Sequence, residues 1–254
     1  MTFDNLCIVL VAPAGALNIG SVARAMANFG AADLRLVTPQ TDHLQDEARR
    51  MAVKATPILE QASIHADLPG ALADCHFALG TTRRFGKYRE NLLHPDEAAR
   101  IALPLLGKGK VALVFGREDR GLKTGELDLC QRLITIPTND LLPSMNLAQS
   151  VAVCLYEMAR CHGSGGTGEK GKKLATVPQL EHLFDHMRET FRDIGYLDPQ
   201  NPDHILRAFR RFLGRAALDP REVQILRGML SQIDWVEAER RRLAGEGSDD
   251  PIPD

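Results

Sequence analysis

Residues 134–160 read ITIPTNDLLPSMNLAQSVAVCLYEMAR, and the change of pattern within them decides how the chain is folded. A β-rich run, Arg132 to Ile136, ends in a polar loop stiffened by Pro137 and Pro143. The loop runs into a segment where Leu147, Val151, Cys154, Leu155 and Met158 recur with the 3.6-residue period of one helix face. Ser144 and Asn146 both stand where a side-chain oxygen can accept from an orphan N–H of the helix's first turn. Free backbone donors and acceptors in such a loop suit a planar, polar ligand such as adenine. Taken alone, the stretch reads equally as an ordinary capped helix after a strand.

Upstream the same alternation repeats. Leu6–Ala12 is a continuous apolar run, expected of a strand covered on both faces. A helix from about Ile19 to Phe29, strands at Leu34–Val37, Ser63–Ala66 and Phe77–Leu79, and helical pattern over Gln45–Ala55 and Pro69–Ala73 follow. After a polar, arginine-rich loop at 83–94 come a helix at Asp96–Leu105, the strand Val111–Phe115, a helix at Thr124–Cys130 and a last strand at Ile134–Ile136. Strands alternating with helices imply an α/β fold with a mostly parallel sheet, whose functional loops lie at the carboxyl ends of the strands.

Beyond His162 the composition turns Gly-rich, polar and aperiodic, which predicts a flexible linker. Three helices follow. The first opens on a Thr176/Gln179 capping box, buries Leu180, Leu183, Phe184, Met187, Phe191 and Ile194, and ends at Gly195. The second opens at Asn201-Pro202, turns Ile205, Phe209 and Phe212 inward and closes at Gly214. The third opens at Asp219-Pro220 and carries Val223, Leu226, Met229, Leu230 and Ile233. The expected division is a domain at 1–161, a linker at 162–175, a small all-α extension at 176–243 and a disordered acidic tail at 244–254.

With 31 basic and 33 acidic residues, net charge carries no nucleic-acid signal, so any such surface must be local. The five cysteines form no CxxC pair and no Cys/His ligand spacing, so no metal is expected; they read as reduced thiols of a cytoplasmic protein. No apolar run has the length of a membrane helix, and the chain starts directly with a strand, without a signal peptide.

Three strand-end loops carry polar residues in an ordered pattern. In the first, Asn18-Ile19-Gly20-Ser21-Val22-Ala23-Arg24, the lysine of a phosphate-binding loop is missing, which excludes that class of NTPase. Asn18, Ser21 and Arg24 are spaced to share a helix face. The second is Gly116-Arg117-Glu118-Asp119-Arg120-Gly121-Leu122, where a glycine at a strand end permits close backbone approach. The third is Ser144-Met145-Asn146. No GxGxxG follows a strand, and no histidine stands in any of the three.

Together, NxGxxxR, GxExxGL and a late SxN loop, in this order over about residues 5–160, resemble the signature of the SpoU-type RNA 2′-O-methyltransferases of the SPOUT superfamily. The linker and extension, with Ile225-Leu226-Arg227-Gly228, resemble the TrmJ branch of that family, which methylates the ribose of the first anticodon-loop nucleotide of tRNA, a cytidine or uridine at position 32. Pro143 stands where a serine is expected, and Met145 where leucine is usual. The resemblance implies a deep trefoil knot formed by roughly residues 78–83, 114–122 and 134–160. It implies S-adenosylmethionine bound against Thr81, Thr82, Arg83, Gly116, Ile136, Ser144, Met145 and Asn146. It implies a homodimer, with Arg24 reaching the neighbour's cofactor. Arg24 is then the candidate catalytic residue, as a phosphate partner that orients the ribose or as proton acceptor, with Asn18 and Glu118 positioning it or the substrate backbone. Arg83, Arg84, Lys87 and Arg89 form a candidate RNA-binding loop. Arg207, Arg210, Arg211 and Arg215 form a candidate basic stripe on the extension. Ribosomal RNA as substrate, or a non-catalytic RNA-binding protein, are the alternative readings.

Overall fold

Leu6–Val11 (β1) is six apolar residues, every one buried. A strand of this kind belongs inside a sheet with helices on both faces. It lies there in the computed structural model, which describes residues 2–83, 92–163, 173–198 and 200–246. The other strands are β2 (Asp33–Val37), β3 (Ser63–His65), β4 (Phe77–Thr81), β5 (Val111–Phe115) and β6 (Arg132–Ile134). They form one sheet in the order β3-β2-β1-β5-β4-β6, with every pairing parallel.

The pleat sorts β1 between two cores. Leu6, Ile8 and Leu10 face one; Cys7, Val9 and Val11 face the other. The first core is closed by α1 (Ala16–Phe29), α2 (Asp46–Ala52), α3 (Thr56–Glu60), α5 (Pro95–Leu106) and α7 (Leu147–Gly163); α4 (Leu68–Ala71) and α6 (Thr124–Asp128) help close the second. The chain leaves β1 toward β2 on one side, and β5 pairs on the other. The loops after β1 and β5 therefore meet at the point where strand order reverses, where open α/β sheets place their ligands.

Several boundaries differ from those read in sequence. The helix expected over 45–55 breaks at Val53, whose φ of 54° starts a short 3₁₀ turn before α3. β4 continues through Gly80 to Thr81, because Gly80 packs on Cys130, whose Sγ leaves a side chain no room. β6 comes two residues early: after Ile134 the N–H of Thr135 pairs with Leu93 instead. All five cysteines are free.

The extension consists of α8 (Val177–Asp193), α9 (Asp203–Ala216) and α10 (Pro220–Glu246). The Thr176/Gln179 capping box is made, and Leu180, Leu183, Phe184, Met187 and Phe191 share a core with Leu206, Val223 and Leu230. Ile194, Phe212 and Met229, expected inside, are exposed. Ile194 lies past the last turn of α8, and Phe212 stacks on the rim residue Phe209. Gly214 does not close α9, which runs on to Ala216 and is closed by Ala217 at φ 51°. Gly214 is instead a contact point against Gln131 of the sheet domain.

The stretch read as linker is anchored at both described ends. α7 continues to Gly163, and Leu174 and Val177 enter the two cores of the sheet domain. The Val177 N–H donates to the Cys75 carbonyl. α10 extends to Glu246, so the start of the segment read as tail is helical. Residues 164–172 and 247–254 lie outside the described residues.

The α1–α2 crossing gives a test of the packing. A Cβ on Gly20 would lie 2.2 Å from the Ala48 carbonyl oxygen, whereas one on Gly125 in α6 would meet nothing within 4 Å. Gly20→Ala is expected to cost about 1–3 kcal/mol or more, as overpacking does. Gly125→Ala is expected to be neutral or to stabilise by up to about 1 kcal/mol. Thermal unfolding of the two variants checks both.

Candidate active site

Glu118 follows β5, Asn18 lies in the first turn of α1, and Asn146 precedes α7. Their side chains form one hydrogen-bonded chain. A carboxylate only accepts, so Glu118 takes the Asn18 amide N–H at 3.0 Å and the backbone N–H groups of Ala14 and Gly15 at 3.2 Å each. The Asn18 amide oxygen then faces away and accepts from the Asn146 Nδ2 at 2.9 Å. The Asn146 Oδ1 in turn accepts from the N–H groups of Ala148 at 2.9 Å and Gln149 at 3.3 Å, which makes Asn146, and not Ser144, the cap of α7. Each amide has one orientation, set by the carboxylate at one end and the helix N–H groups at the other. Burial works against the charge on Glu118, but the bonds from Asn18, Ala14 and Gly15 outweigh it and hold its carboxyl below the ordinary glutamate value.

This chain stands at the edge of a cavity that opens at the carboxyl ends of β4, β5 and β6. Seven of the eight residues proposed to bind a cofactor line it: Thr81, Thr82, Arg83, Gly116, Ile136, Ser144 and Met145. Asn146 does not; it acts one step behind, on the helix start. Glu118 also lines the cavity, whereas Asn18 and Arg24 do not. Apolar walls come from Phe115, Leu122, Ile134 and Leu147, and further hydroxyls from Thr138 and Ser150. Periodicity could assign these only to strand and helix interiors.

The loop between β5 and α6 is shaped by two glycines and an ion pair. A Cβ on Gly116 would lie 2.2 Å from both the Gly121 carbonyl carbon and the Leu122 nitrogen, and Gly121 has φ 67°. The Gly121 N–H returns to the Arg117 carbonyl at 2.9 Å. Arg117, missed as a functional residue in sequence, forms a two-pronged pair with Glu126 at 3.0 Å per prong. The carboxyl of Glu126 is held below its ordinary value against its burial by Arg117 and by the Lys123 N–H. On the opposite wall, the Thr138 hydroxyl donates to the Pro143 carbonyl and pins the loop at the unusual proline.

The arginines proposed to touch RNA separate into different groups. Arg24 is exposed on α1 and makes no hydrogen bond or ion pair among the described residues. Arg84, Lys87 and Arg89 lie outside the described residues. Arg207 pairs with Asp128 at 3.1 Å, and Arg210 pairs with Glu181 and lies 4.3 Å from the Phe184 ring centroid. These two are therefore docking residues between α9, α8 and α6, not part of a solvent-facing basic stripe. Arg211 donates to the Arg207 carbonyl and is half-buried; Arg215 is exposed. Among the described residues no three His, Cys, Asp or Glu side chains converge as a metal site, and no helix is long and apolar enough to cross a membrane.

With this geometry in place, the likeness to known proteins covers both the sheet domain and the extension. The profile of the SpoU rRNA Methylase family matches residues 5–156, and that of the tRNA methyltransferase TrmJ C-terminal domain matches residues 178–245. The chain belongs to the SpoU methylase family. It is 39% identical to the tRNA (cytidine/uridine/adenosine-2′-O-)-methyltransferase TrmJ of Pseudomonas aeruginosa, over 97% of this chain and 99% of that protein. The crystal structure of TrmJ from Z. mobilis superposes with a TM-score of 0.76 at 33% identity, covering 90% of this chain and 98% of that one. A solved structure concerned with 2-OH methylation of C/U34 on tRNA matches with a TM-score of 0.51 at 25% identity, covering 63% of this chain and 97% of that one.

The polar chain makes a pH-dependent contribution to stability. The folded value of Glu118 is lowered below the ordinary 4.5, so its contribution is present above that value and lost as pH falls through the folded one. In Glu118→Gln an amide N–H₂ must face donors. The variant is expected to melt below the wild type at neutral pH, and the gap is expected to close on acidification. Thermal melts between about pH 7 and pH 3 check this.

Proposed function

We propose that this chain transfers a methyl group from S-adenosylmethionine to the 2′-oxygen of a ribose in tRNA, acting in the cytoplasm on the cytidine or uridine at position 32. The observation that carries this reading is the Glu118–Asn18–Asn146 chain, which joins the three family motifs at the rim of one cavity. The cavity fits the cofactor's chemistry: backbone groups and hydroxyls beside apolar walls suit an adenosine, and the absence of a side chain at Gly116 lets the 116–122 loop fold tightly on itself at the cavity wall. Thr81, Thr82, Arg83, Gly116, Ile136, Ser144 and Met145 would hold it, with Asn146 fixing the end of α7 behind them. When bound, S-adenosylmethionine supplies an electrophilic methyl group on its sulfonium. Met145 keeps the apolar wall in place of leucine, and the Thr138 bond to the Pro143 carbonyl holds the loop where serine is usual.

The protein's own task is to orient the ribose hydroxyl and let its proton leave. Arg24 suits this, because it is exposed and has no hydrogen bond or ion pair among the described residues. As a guanidinium it is a poor base and a good partner for the phosphate beside the target ribose. Arg24 does not line the cavity of its own chain. This supports a homodimer in which each Arg24 serves the partner's site. Leu17 on α1 and Tyr156 on α7, both more than half exposed, with half-buried Ala152 and Val153, offer the surface for it. The convergence of residues 78–83, 114–122 and 134–160 on one cavity supports the trefoil knot as the device that holds them together.

Arg24→Ala is expected to leave cofactor affinity nearly unchanged and to lower single-turnover methylation of tRNA by on the order of 10²–10⁴. Arg24→Lys is expected to retain part of the activity if charge alone suffices. Ribose-methylation mapping of tRNA and ribosomal RNA after incubation with the purified protein tests the substrate. Modification at position 32 supports the reading; position 34 would correct the site, and modification of ribosomal RNA alone would overturn the tRNA assignment.

A further inference from the structure

Gly214 of α9 lies so close to Gln131 that a Cβ would sit 3.0 Å from the Gln131 carbonyl oxygen and 3.2 Å from its Cα. The residues that follow each of them, Arg215 from the extension and Arg132 from the first position of β6, thereby come to the same seam, near enough for the charge of one to act on the other. The Arg132 Nε is buried and has no hydrogen-bond partner. Burial and the neighbouring charge of Arg215 both loosen the proton of Arg132. Neither arginine makes an ion pair among the described residues. The charge of Glu97 acts on Arg132 in the opposite sense, but its carboxylate caps α5 through the His94 N–H at 2.7 Å and makes no ion pair with Arg132.

The same helix shows what a purely structural arginine looks like in this protein. Arg207 and Arg210 are each matched by a carboxylate, Asp128 and Glu181. Arg132 and Arg215 are brought together with no carboxylate in ion-pair contact with either among the described residues. Two guanidinium groups, one of them partly desolvated, repel in the apo protein, and an anion between them turns that cost into attraction. Their planar donor forks match the oxygens of a phosphodiester.

We propose that the seam between β6 and α9 is a phosphate-binding site, in which Arg132 and Arg215 together clamp one phosphodiester of the RNA substrate. The proposal rests on the RNA-methyltransferase reading for its ligand. It makes the junction of the two domains a part of substrate binding. The extension then acts by completing a site with the sheet domain, as well as by any contacts of its own.

The test is RNA binding by Arg215→Gln and Arg132→Gln, followed by anisotropy over a range of salt, with a tRNA transcript and with an unrelated RNA hairpin. Loss of one phosphate contact is expected to weaken binding of both RNAs by roughly 3–10-fold and to reduce the slope of log affinity against log salt by about 1. Cofactor affinity is expected to stay at the wild-type value. The melting temperature is expected to hold or rise, because a repulsion has been removed. Wild-type affinity and salt slope in both variants would overturn the proposal even if the enzyme methylates tRNA. If the wild type fails to methylate tRNA, the functional reading falls, and the hairpin still decides whether the seam binds phosphate. Arg215→Gln, at an exposed position, decides alone if Arg132→Gln does not fold.

Discussion

The rest of the site depends on a carboxylate that can only accept. Glu118 receives three N–H groups from the loop after β1 and from Asn18, and this one-way demand propagates through two amides to the N-terminus of α7. The partners lie 100 and 128 residues apart in the chain. Reversing either amide would set donor against donor or acceptor against acceptor, so the relative position of β1, β5 and α7 at their cavity ends is fixed by hydrogen-bond polarity. Packing of the apolar core beneath brings these ends close; the polar chain selects the register at which they meet.

A second constraint links the cavity to the extension. α6 is a five-residue helix, yet it holds Glu126, which pairs with Arg117 of the cavity loop, and Asp128, which pairs with Arg207 of α9. Gln131 accepts the docking of Gly214 while its side-chain oxygen takes the Ala78 N–H of β4. One short segment, 124–132, thus braces the cavity loop through Glu126 and is the floor of the extension. The two parts also share burial through Leu174 and Val177. The extension is seated on the sheet domain, whatever the composition of residues 162–173 suggests about a hinge.

The arginines show where pattern reading runs out. Four arginines on α9 look alike in sequence. Arg207 and Arg210 are neutralised by acids on α6 and α8, while Arg215 and Arg132 share a seam with no ion pair to either among the described residues. Spacing gives the face of a helix and not what is across from it. The cap of α7 was ambiguous for the same reason: Ser144 and Asn146 are both good capping residues, and only the position of Asn18 shows that Asn146 has a use for both ends of its amide.

The amino-acid sequence by itself determined the alternation of strands and helices, the parallel sheet, the helical extension and the three motif loops, because these follow from local periodicity, turn chemistry and residue type. The boundaries that shifted at Thr81, Ile134 and Gly214 are those where a neighbour from a distant part of the chain supplies or withholds room and hydrogen bonds. Only the tertiary structure decided that Arg117 braces the cavity loop through Glu126, that Gly214 is a contact and not a stop, and that Arg132 and Arg215 share a seam with no ion pair to either among the described residues. Each of these is a relation between residues far apart in the chain, and such relations are set when the sheet and its helices close on one another, by packing and polarity that no single stretch contains.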